Sequence, residues 1–225
     1  MPGITLSGVD EGTPFSDLTH LAELGAEIVF LYTFDPEDRH RYPPEVWIEN
    51  ALRLLWKNHT ALHVCGTRAR KELLDGNLEQ MAHGVNRIQV NGQVSTSELL
   101  RLCNLMPYIP VITQHTEANA DLLSVGAKNH ALLVDSSGGR GLLPTCWERP
   151  ETAKAVGFAG GLTPDNLAEE LPKIAAVAKG EWWLDMETSL RDENDWFSVP
   201  KALKVMEIWR KCHAGEVAGR TECPG

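Results

Sequence analysis

Chemistry-bearing residues collect just after short apolar runs along this chain. Asp135 directly follows Ala131-Leu132-Leu133-Val134 and opens Ser136-Ser137-Gly138-Gly139-Arg140-Gly141. A carboxylate at the tip of an apolar run must find hydrogen-bond partners or a ligand, because burying it alone is costly. Phe158-Ala159 runs into Gly160-Gly161-Leu162-Thr163-Pro164-Asp165-Asn166. Two glycines without Cβ atoms let a ligand approach the backbone closely. A helix start behind them attracts an anion through unpaired N–H groups and the helix dipole. The same stretch reads equally as a tight turn capped by Thr163, with Pro164 at the first helical position. Thr188 and Ser189 follow a further apolar run and add hydroxyls suited to a phosphate. Ser7 and Gln89 stand near the carboxyl ends of apolar runs, and Arg41 lies in the polar stretch that follows Glu27–Thr33; all three are candidate binding or catalytic groups. His63, His115, Asp135, Asp185 and Glu187 are metal-ligand types, but no HxH pair or HExxH helix groups them.

Eight apolar runs position these residues: Ile4–Val9, Glu27–Thr33, Thr60–Cys65, Val85–Val90, Ile109–Thr113, His130–Asp135, Ala155–Ala159 and Glu181–Met186. Between them, helix-period patterns cover Phe15–Leu24, Pro44–Asn58, Arg68–Met81, Thr96–Leu105, Glu117–Val125, Arg149–Lys154, Asn166–Ala178 and Val199–Lys211. Strict strand–helix alternation predicts parallel strands joined by crossover helices. Eight such units in 225 residues predict a single-domain (βα)8 barrel over residues 1–215, with a frayed tail over 216–225. A doubly wound open sheet has the same periodicity. In a closed barrel the active site lies at the carboxyl ends of the strands, often with phosphate held after strands seven and eight.

Composition narrows the partners. A formal net charge of −10 disfavours nucleic acid. Five scattered cysteines form no disulfide framework and fit a cytoplasmic protein. No apolar run approaches the roughly 18 residues of a membrane span. The expected partner is a phosphorylated small molecule, bound by a monomer or homodimer without a metal.

The stretches Val134–Gly141 and Phe158–Leu167 resemble those of phosphoribosylanthranilate isomerases, which carry LDS-x-x-GGTG after strand six and AGGL-x-P-x-N at strand seven. Leu6-Ser7-Gly8 stands where that family has ICG, Arg41-Tyr42 where it has an SPRY-like loop, and Gln89-Val90-Asn91-Gly92 where it has QLHG. The resemblance implies a cofactor-independent Amadori rearrangement of an aminoaldose phosphate to an aminoketose phosphate. An acid protonates the ribose ring oxygen as the ring opens, and a base removes the proton from C2. By resemblance Asp135 is the acid and Arg41 meets the anthranilate carboxylate. Gly138 and Gly139 belong to the binding loop after strand six. Gly160, Gly161, Thr188 and Ser189 form the phosphate cradle.

The sequence departs from that pattern at the base. Ser7 replaces the cysteine, and a serine hydroxyl needs a second group to activate it. Thr5 replaces a lysine, Asn91 a histidine and Arg140 a threonine, and Thr188-Ser189-Leu190-Arg191 stands for SGVE. Two expectations follow. One is an aldose–ketose isomerase with a substitute base, for which Asp10, Glu11, Cys65 and Glu187 are candidates. The other is a non-catalytic phosphosugar-binding protein.

Overall fold

A computed structural model describes residues 3–36, 39–55, 60–135 and 137–218, with side chains in the last helix described as far as Cys212. Its eight strands are β1 Gly3–Ser7, β2 Glu27–Tyr32, β3 Thr60–Val64, β4 Arg87–Val90, β5 Val111–His115, β6 His130–Asp135, β7 Val156–Ala159 and β8 Trp182–Met186. All pair in parallel, each with its neighbours in sequence, and β8 closes on β1 with Thr5 opposite Asp185. The sheet is therefore a closed (βα)8-type barrel, as the alternation predicts, and the open sheet is excluded.

The helices are α1 Phe15–Glu23, α2 Glu45–Leu54, α3 Thr67–Leu74, α4 Glu79–His83, α5 Thr96–Leu105, α6 Leu167–Val177 and α7 Val199–Ala218. Apolar spacing buries Leu18 and Leu21 of α1, Ile48 and Leu52 of α2, and Leu171 and Ile174 of α6 against the strands. Alternation along β8 splits its side chains. Leu184 and Met186 join the large core under the helices, whereas Trp183 turns inward to pack with Ile112, Ala131, Leu133 and Ala159. Gly157 makes room for that indole: a Cβ there would lie 2.3 Å from it.

Three helical expectations are corrected. The span expected as one helix from Arg68 to Met81 breaks at Gly76, whose φ of +83° ends α3 before α4 begins. Glu117–Ser124 is a 3-10 segment with a kink at Asn119, whose amide serves Gly92 and Gln114 carbonyls instead. Arg149–Lys154 forms no helix. There the Arg149 guanidinium binds the carbonyls of Thr152 and Lys154, and Trp147 is buried with its indole N–H donating to Glu170 at 2.8 Å. The β6–β7 connection is thus held by side chains. The expected end of α2 at Asn58, Ser136 of the β6 motif, and residues 219–225 of the expected tail lie outside the described residues. Residues 216–218 close α7.

Candidate active site

The carboxyl ends of the strands surround a cavity of about 460 Å³. Arg41, Gln89, Asp135, Gly139, Gly160, Gly161, Thr188 and Ser189 line it, as do Asp185 and Glu187. Ser7 lies beneath it, fully buried. Gly138 is not among the lining residues. It sits in the β6 turn with φ +62° and donates to the Asp135 carbonyl at 3.0 Å.

The β6 and β7 ends form one unit. Asp135 is buried and accepts hydrogen bonds from the Ser137 amide at 3.0 Å, the Ser137 hydroxyl at 2.7 Å and the Gly139 amide at 2.6 Å. A Cβ on Gly160 would lie 2.9 Å from the Asp135 carboxylate, so the glycine turn and the aspartate are immediate neighbours. Both glycines adopt left-handed backbone, φ +109° and +65°, which disfavours any other residue. The turn is pinned by Asn166, which accepts from the Thr163 amide at 2.7 Å and donates to the Gly161 carbonyl at 2.9 Å. The Thr163 hydroxyl accepts from the Asn166 amide at 3.1 Å within the turn before α6. Helix α6 itself starts at Leu167 with Asn166 at its N-cap, so the expected cap at Thr163 and first helical residue at Pro164 are corrected. Gly161 also meets the β6–β7 loop, since a Cβ there would fall 2.2 Å from the Leu143 amide nitrogen. After β8, Thr188 and Ser189 begin a short 3-10 turn, and the buried Ser189 hydroxyl has no hydrogen-bond partner among the described residues.

The barrel's polar interior supplies what the sequence left open at Ser7. Its hydroxyl donates to Asp185 Oδ1 at 2.5 Å, and Thr5 Oγ1 lies 2.8 Å from the same oxygen. Asp185 lines the cavity while Ser7 does not, so the group presented upward is the carboxylate. Asp185 had been picked out only as a metal-ligand type. Its inward phase on β8, two residues from Trp183 and from Glu187, was the available signal. His63, buried two positions below Cys65 on β3, has its pKa pushed down to about 4 by burial and is neutral. It faces Gln89, whose Nε2 also donates to Asn91 at 2.8 Å.

The named base candidates fare differently. Burial and the neighbouring Glu187 push the Cys65 thiol up to about 12, so it is no thiolate near neutrality. Asp10 is fully buried and bound to Arg191 at 2.7 Å, to the Phe197 amide at 2.7 Å and to the Gly12 amide at 3.2 Å. It holds the loop after β8 and does not line the cavity. Glu11 is exposed and does not line it either. Glu187 does, with its pKa raised by burial against the opposing pull of Arg41. Arg41 donates through Nη1 to Glu187 at 2.8 Å and through Nη2 to Asp195 at 2.7 Å. Stacking of His40 on Trp196, ring centroids 3.5 Å apart, clamps the β2 loop to the β8 loop beside this pair. Among the described residues no group of three His, Cys, Asp or Glu side chains could hold a metal ion, and no helix is long and apolar enough to cross a membrane.

Solved structures place this barrel in context. Phosphoribosylanthranilate isomerase from Thermus thermophilus superposes with a TM-score of 0.70 at 20% identity, over 93% of this chain and 99% of that one. The chain shares its fold. TrpF from Jonesia denitrificans gives 0.68 at 18% identity, over 93% and 97%. A phosphoribosylanthranilate isomerase in complex with reduced 1-(o-carboxyphenylamino)-1-deoxyribulose 5-phosphate gives 0.60 at 14%, over 94% and 100%. No family model and no curated protein matches the sequence.

Proposed function

We propose that this protein is an Amadori-type aldose–ketose isomerase acting on a phosphorylated sugar derivative, with Asp135 as acid and Asp185 as base. The observation that carries the reading is a pair of buried carboxylates, Asp135 on β6 and Asp185 on β8, lining one cavity beside the Gly160-Gly161 turn. The chemistry needs two proton-transfer groups and no redox partner. Asp135 delivers a proton to the ring oxygen as the C1–O bond breaks and the amine lone pair forms a C1=N bond. Asp185 then takes the C2 proton, and the released electron pair forms the C1=C2 enol while nitrogen regains its lone pair. Tautomerisation gives the ketose. A carboxylate can do this without activation, whereas Ser7 could not. Ser7 and Thr5 instead fix the orientation of Asp185. Phosphate is bound by the glycine turn, the start of α6 and the orphan Ser189 hydroxyl, features that suit an anion.

The test is turnover. Aminoaldose phosphates, phosphoribosylanthranilate among them, are offered to the purified protein and the aminoketose product is followed. Asp135→Asn and Asp185→Asn each lower the rate by about 10²–10⁴-fold, the usual worth of one proton-transfer group, and both variants still bind ribose 5-phosphate. Binding of phosphosugars without turnover of any of them overturns the isomerase reading in favour of a phosphosugar-binding protein.

A further inference from the structure

Among the described residues the cavity wall carries more acidic than basic side chains. Asp135, Asp185 and Glu187 face two arginines, Arg39 and Arg41. Arg41 is already engaged by Glu187 and Asp195 through its two terminal nitrogens. Asp195 is fixed in turn by Arg191, which donates from Nε at 2.8 Å and is itself locked to Asp10. Only Nε of Arg41 lacks a partner among the described residues, so a ligand carboxylate either displaces one of two carboxylates or reaches that buried nitrogen, and in both cases it lies beside Glu187. Juxtaposed like charges in a desolvated site weaken binding.

An acceptor, meanwhile, waits for a donor. Gln89 is 2% exposed and lines the cavity, and its Oε1 has no partner among the described residues. Its Nε2 is held by Asn91 at 2.8 Å, which leaves the oxygen as the group to be satisfied. A buried acceptor without a donor is costly, so a ligand that supplies an N–H or O–H gains there. We infer that the group borne by the phosphorylated sugar in this site carries hydrogen-bond donors, an amine or hydroxyls, and no carboxylate. This inference rests on the site and ligand class proposed above, but not on catalysis.

Calorimetric titration of the intact protein tests it with three probes. They are ribose 5-phosphate, the reduced carboxyphenylamino deoxyribulose phosphate of the solved complex, and its analogue with an amine in place of the carboxylate. The amine analogue is expected to bind at least about tenfold more tightly than the carboxylate, a difference well within what one misplaced charge produces. Asp195→Asn keeps a side chain that tolerates the local backbone, loosens the hold on Arg41 and narrows that ratio. A carboxylate probe that binds the unaltered protein as tightly as the amine analogue overturns the inference. If ribose 5-phosphate and the amine analogue bind but no aldose turns over, the isomerase reading falls and the inference stands. If none of the three binds, both fall together.

Discussion

At the scale of single residues, position relative to the barrel interior matters more than residue type. Cys65 is the only thiol lining the cavity among the described residues, yet burial and Glu187 hold it protonated. Iodoacetamide at pH 7.5 is therefore expected to label exposed Cys146 and to leave Cys65 unmodified over the same hours, as read by peptide mass spectrometry. Rapid labelling of Cys65 would return the thiol to contention as base. Asp135 and the glycine pair were legible because each closes an apolar run within a few residues of sequence. Asp185 was not, because its meaning comes from Ser7, 178 positions away across the pairing that closes the barrel. No local pattern reports which residues meet when the last strand joins the first.

At the scale of elements, all eight strands were legible, since each is a short apolar run between polar turns. The missing helix before β7 shows the limit. Arg149–Lys154 reads as a helical stretch in sequence, but the Trp147 indole needs the α6 carboxylate and the Arg149 guanidinium needs carbonyls, and those tertiary demands win. The loop so formed interlocks with the β7 turn at Gly161. Gly161→Ala is expected to lower unfolding stability by well over the roughly 1 kcal/mol that left-handed backbone alone costs, because its Cβ would collide with the Leu143 backbone. Gly138→Ala has a similar φ of +62° but meets nothing within 4 Å among the described residues, so it should show the backbone cost only. Equal losses for the two in urea denaturation would mean that the loop and turn are not interlocked. Loss of ligand binding in Gly161→Ala is consequently not evidence about the phosphate site by itself.

At the scale of the whole molecule, the barrel interior is polar enough to make stability depend on pH. His63 and His130 are each pushed down to about 4 by burial. In the unfolded chain a histidine titrates near 6.5, so between those values the unfolded state binds more protons than the folded one. Stability is then greatest above about pH 6.5 and falls as pH drops toward 4, by up to roughly 1.4 kcal/mol per pH unit for each histidine. Glu187, raised by burial, acts in the opposite direction and offsets part of the fall. Urea midpoints at a series of pH values should show the decline, and His63→Gln should flatten it. A midpoint that does not move between pH 7 and 4.5 would mean these imidazoles are not buried as neutral groups. Overall charge and cysteine count gave no hint of this, since both describe the surface and the redox setting and not the interior.

Asp195 is the one non-glycine residue among those described with a left-handed backbone, φ 61°, and that turn aims its carboxylate at both Arg41 and Arg191. Glycine at this position would relax the main chain and release one arm of Arg41 in a single change. Comfort of the loop and choosiness of the pocket therefore pull against each other at one codon. A search for variants that accept acidic ligands would do well to begin there, where loosening specificity carries little structural penalty.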